Sequence, residues 1–85
     1  MLKNHWVHIQ SIKLVDIAPL NTKTMELAIK LWNKDIFPED LPPIRLYQTP
    51  LGVNQIKDGR HRVLAFRLCG LTHIKAKISK PKHIK

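Results

Sequence analysis

At 85 residues the chain is expected to form one small domain, with no room for a second. Its 44% hydrophobic content and three glycines exclude a disordered or collagen-like polymer. Fifteen Lys and Arg against six Asp and Glu give a formal charge of +9, so polyanions are the expected partners.

Between Trp6 and Val15 the apolar residues Val7, Ile9, Ile12, Leu14 and Val15 alternate with polar ones, which predicts a half-buried strand that Pro19 ends. Asn21 or Thr22 can cap a helix running to about Lys34, with Met25, Ala28, Ile29 and Trp32 as its core-facing stripe. Glu26 and Lys30 add a favourable i,i+4 pair. Pro38, Pro42 and Pro43 bracket an acidic turn, Glu39-Asp40, that no helix can cross.

Ile44 to Thr49 alternates like a strand, Pro50-Leu51-Gly52 is a turn, and Val53 to Lys57 would be the return strand of a hairpin. That strand delivers the chain to Asp58 and Gly59, after which a helix runs from Arg60 to Gly70. Ile74, Ala76 and Ile78 mark a last short strand before a basic tail. The order of elements predicts an α+β fold, a small mixed β-sheet with two helices packed on it. Residues 1–79 form the domain and 80–85 the tail.

The densest chemistry lies in Asp58-Gly59-Arg60-His61-Arg62. The first N–H groups of a helix lack internal partners and carry partial positive charge, so a helix start flanked by cations attracts phosphate. At about 100° per residue, Leu64, Ala65, Phe66, Leu68 and Cys69 share an apolar side, while Arg60 and Arg67 lie opposite. His61 and Arg62 project toward the apolar side at its N-terminal end, where a cleft can open. The alternative is structural: Arg62 pairing with Asp58 or Glu26, and His61 donating to a carbonyl.

Other sites have less to offer. His5 and His8 supply only two of the ligands a metal would need. Neither a G-x-x-x-x-G-K-[ST] loop nor a G-x-G-x-x-G turn is present. Cys69 cannot form an internal disulfide and reads as a small buried hydrophobe in a reducing, cytoplasmic setting. No run approaches a membrane span, so no membrane partner is expected. Aromatic residues amount to 6%, with no row of them suggesting a base-stacking platform. Lys75, Lys77, Lys80, Lys82 and Lys85 suit nonspecific contacts with nucleic-acid phosphates.

From Val7 to Ser79 the chain resembles the ParB and sulfiredoxin superfamily. The likeness rests on Ile9, Ile12 and Pro19, on Pro42-Pro43-Ile44 before the hairpin, on Asp58-Gly59-Arg60-His61-Arg62 with Ala65, and on Ile74 to Ile78. The resemblance implies a domain that binds a nucleoside triphosphate, ATP or CTP, with magnesium, and that hydrolyses it or transfers phosphate. It implies phosphate contacts at Gly59, Arg60, His61 and Arg62, and catalytic roles for Asp58 and His61, with Asp58 also holding the metal.

Sulfiredoxin chemistry is excluded, since that family's cysteine position holds Arg60 here. Partition proteins carry an arginine pair in this turn, and a downstream helix-turn-helix and dimerisation domain for which this sequence has no room. The helix after Pro19 offers no evident counterpart of the polar residues that complete the sulfiredoxin pocket. Two other readings stand beside the nucleotide: a noncatalytic basic DNA-associated adaptor of a partition, mobile-element or modification system, and a ParB-like nuclease. For the nuclease only Asp58, with Glu26 or Asp16, could ligate metal. Oligomeric state is left open, a dimer included.

Overall fold

The computed structural model describes residues 3–13 and 21–80. Leu14, Val15, Asp16, Pro19, Lys82 and Lys85 lie outside them, with the expectations placed there. Strands β1 (Asn4–His8), β2 (Ile12–Lys13), β3 (Ile44–Gln48), β4 (Asn54–Asp58) and β5 (His73–Ser79) form one mixed sheet in the order β1-β5-β3-β4-β2. Helices α1 (Thr22–Trp32) and α2 (Arg60–Leu68) pack on it, so the fold is α+β as expected.

The stretch expected to be one strand is two. A 3-10 turn at Ile9–Ser11 breaks it, and the halves pair with opposite edges of the sheet, β1 antiparallel to β5 and β2 parallel to β4. The edges of a flat five-stranded sheet would stand about 19 Å apart at about 4.8 Å per strand. A three-residue turn reaches only about 6 Å. The sheet therefore curls until its edges approach, and the apolar residues of its inner face close a core of Val7, Ile12, Ile44, Leu46, Ile74 and Ala76 under the helices.

The hairpin forms as predicted. Gly52 N–H donates to Thr49 O at 2.8 Å, and β3 and β4 pair antiparallel with an irregularity beside Arg45. Both helices end in the same device. Around Gly70, Leu71 N–H reaches Phe66 O and Gly70 N–H reaches Arg67 O; around Lys34, Asp35 N–H reaches Lys30 O and Lys34 N–H reaches Leu31 O. Gly70 takes the left-handed conformation at φ 73°, and Lys34 takes it with a side chain at φ 62°.

Of the stripe expected to face the core from α1, Ala28 does so and the other three residues face water. Thr24, Ala28 and Leu31 are buried, whereas Met25, Ile29 and Trp32 are exposed, Trp32 by 72%. The helices contact each other through small groups, with Cys69 Sγ donating to Ala28 O at 3.2 Å. That contact turns α1 by about one residue, or about 100°. On α2, Val63, Ala65 and Phe66 are the buried set, and Leu68, expected on the apolar side, is half exposed. Among the described residues no helix is long and apolar enough to cross a membrane.

Candidate functional site

Three segments meet at the start of α2. Gly59 turns the chain from β4 into the helix at φ 107° and ψ 20°, a conformation that L side chains rarely adopt. A Cβ there would stand 2.4 Å from Ile44 Cγ2 and 2.7 Å from Ile44 Cβ, so the turn lies flush on the first residue of β3. Just upstream, the guanidinium of half-buried Arg62 donates to the carbonyl of Pro42. The partner of Arg62 is thus a backbone carbonyl of the segment entering β3, in place of the carboxylates of Asp58 or Glu26.

The third segment is the start of α1. Asn21 caps it, its Oδ1 accepting from Thr24 N–H at 2.9 Å. The Asn21 amide nitrogen then faces His61 Nδ1 at 3.2 Å, and the hydroxyl of fully buried Thr24 lies 3.2 Å from the same atom. Because an amide NH2 only donates, His61 Nδ1 is an acceptor, and the neutral ring carries its proton on Nε2. The Nε2–H is thereby left as the donor for a ligand. The sequence marks Asn21 as a helix cap but brings neither Asn21 nor Thr24 to His61. The only signal there is the cap expected at Asn21 or Thr22, which points to a helix start and gives no hint of a partner about forty positions away.

The electrostatics of α2 run against ordinary practice. Its first turn holds no acid and its N-terminus has no side-chain cap. Three basic or imidazole side chains follow Gly59 where the helix dipole favours negative charge. Arg60 is exposed beside the convergence in sequence, and His61 and Arg62 turn toward the neighbouring elements, as their helical angles predicted. Asp58 is exposed and lies opposite Arg45 in the β3–β4 ladder. Among the described residues no group of three or more His, Cys, Asp or Glu gathers to hold a metal, and Glu26 lies exposed on α1.

The lysines assigned to nucleic acid divide. Lys75 and Lys77 occupy alternate outward positions of β5, the amine of Lys75 donating to Glu39 O at 3.0 Å. Lys80 follows β5 and is exposed. Cys69 is half-buried, and burial pushes its thiol up, partly offset by backbone hydrogen bonding at Trp32. His8 sits edge-on to His73 at 4.9 Å and accepts Gln10 N–H, so its neighbour is His73.

No family model and no curated protein matches the chain. A solved structure described as a Pnob8-like ParB-N domain superposes on it with a TM-score of 0.67 at 17% identity, covering 96% of this chain. This chain has a ParB-N-like fold. It spans 31% of that longer chain, and what the two share at this identity is the arrangement of the backbone. In the ParB-N-like fold described here, the Gly59 turn, the Pro42–Ile44 segment and the α1 start converge on one end of the sheet.

Proposed function

We propose that the convergence at Gly59 binds the phosphates of a nucleoside triphosphate, ATP or CTP. The observation that carries this reading is an uncapped helix start loaded with Arg60, His61 and Arg62, a placement that costs stability until an anion sits there. The backbone N–H groups after Gly59 and the His61 Nε2–H would donate to phosphate oxygens, and Arg62 and Arg60 would neutralise their charge. The close approach of Gly59 to Ile44 holds the first turn of α2 in place, and Asn21 and Thr24 hold the imidazole in one tautomer.

Magnesium is bound by one or two carboxylates together with phosphates and water, so the single carboxylate of Asp58 is an adequate protein donor for a nucleotide-borne ion. Such an ion would neutralise the terminal phosphates. Hydrolysis or phosphoryl transfer would rest on positioning and charge neutralisation by His61 and Arg62, with Asp58 orienting the attacking group. Calorimetric titration with a nucleotide panel, with and without magnesium, tests the reading. Arg62→Ala should weaken binding by about tenfold or more, the usual loss of a charged hydrogen bond. No binding at millimolar nucleotide, or equal binding by the variant, would sink the proposal.

A further inference from the structure

The helices cover the inner face of the sheet, and the outer face is built from the alternate residues of every strand. The ladder registers arrange them in rows. One row runs Asn4, Lys77 and Arg45, and the next runs Ser79, Tyr47, Gln55 and Lys13. Trp6 lies beyond the first row, opposite Lys75. A cavity of about 230 Å³ opens on this face between Arg45, Lys57, Lys77 and Ser79, so three cations from three adjacent strands line one concavity.

Arg45 and Lys77 are direct neighbours in the parallel β3–β5 ladder, and like charges placed so repel. No acidic side chain is among the residues that line the cavity. The positive charge is stabilised when an anion enters the cavity. The aromatic residues occupy opposite sides of it: Trp6 is two residues along and one strand over from Lys77, about 8 Å away, and Tyr47 is two residues along β3 from Arg45, about 7 Å away. Trp6 is 51% exposed, leaving much of its indole open. The sequence showed no row of aromatics because Trp6 and Tyr47 come from strands that only the fold makes near neighbours.

We propose that this outer face binds single-stranded nucleic acid, one backbone phosphate seated among Arg45, Lys57 and Lys77 and the flanking bases stacked on Trp6 and Tyr47. Stacking rings on either side of a phosphate-sized cationic cavity suit unpaired bases, whose faces a duplex hides. The inference does not rest on the nucleotide reading, since it uses neither His61 nor Arg62.

The test is fluorescence titration in a Trp32→Phe background, which leaves Trp6 as the only tryptophan. The probes are oligo-dT, oligo-U, a DNA duplex of equal length and phosphatidylserine vesicles. Either single strand should quench Trp6 and bind at least tenfold tighter than the duplex, and the dT to U ratio tells which sugar is preferred. Trp6→Ala, followed by anisotropy of a labelled strand, should weaken binding about tenfold. Exposed Lys57→Ala should weaken binding for all sequences and lower the salt slope by about 0.7. Lys30→Ala, on the exposed side of α1, should bind strands like the parent. Absence of binding at low salt, undiminished binding by Trp6→Ala, or preference for duplex or vesicles overturns the proposal.

Discussion

Replacing Gly59 by alanine separates two costs that are usually confounded. At φ 107° any L side chain is strained, by about 1–2 kcal/mol for left-handed backbone. The added methyl would also stand 2.4 Å from Ile44 Cγ2 and 3.3 Å from Ile44 Cα, so part of the obstacle is backbone. Ile44 is fully buried and β-branched, with little rotamer freedom to yield, and forced overpacking of this kind costs about 1–3 kcal/mol. Together these give about 2–5 kcal/mol, a large share of the stability of a small domain.

Gly52 and Gly70 supply the control. Both have positive φ, 84° and 73°, but neither has anything within 4 Å of an added Cβ. Gly52→Ala and Gly70→Ala should therefore lose only the backbone part. Urea unfolding followed by far-ultraviolet circular dichroism measures all three, and Gly59→Ala should exceed the others by at least about 1 kcal/mol. Equal losses at the three positions would refute the close packing of the turn on β3 and, with it, the placement of the site.

Other outcomes follow from the helices and the thiol. Asn21→Ala should cost about 1 kcal/mol as a lost cap and also free the His61 ring, visible as a change in its imidazole NMR shifts. Lys34→Gly should stabilise by up to about 1 kcal/mol, because it relieves a side chain at φ 62° in the α1 terminus; a loss of stability would contradict that geometry. Leu31→Ala should cost about 2–5 kcal/mol and Trp32→Ala less than about 1 kcal/mol, the reverse ranking indicating the core stripe read from sequence. The Cys69 thiol is pushed up by burial, so the folded state holds its proton longer than the unfolded one. Its contribution to stability is full below the ordinary thiol range and is lost as pH rises through the folded value, which pH-dependent urea midpoints would register.

The elements that were legible in the sequence carry their signal locally. β3, β4 and β5 alternate, the hairpin turn has its Gly52, and α2 runs between Gly59 and Gly70 with His61 and Arg62 at predictable angles. What escaped depends on distant partners. The break at Ile9–Ser11 is invisible in a continuous apolar alternation, because only the positions of β4 and β5 decide where one strand must become two. On α1, two stripes one residue apart compete, and hydrophobicity favours Met25, Ile29 and Trp32. Contact between Ala28 and the end of α2 selects Thr24, Ala28 and Leu31. The His61 partners Asn21 and Thr24 were hidden for the same reason.

The short turn between β1 and β2 also sets an order of events during synthesis. Among the described residues β1 has its ladder with β5 and β2 with β4, so β2 gains a partner once Asp58 has been made and β1 waits until the strand ending at Ser79 has been made. Until the β1–β2 segment docks, β4 and β5 keep one unpaired edge each, the exposure that invites pairing with another chain. One segment, docking late, closes both edges together. The interval between translation of Asn4 and translation of Ser79 is the window in which this chain is most exposed to misassembly.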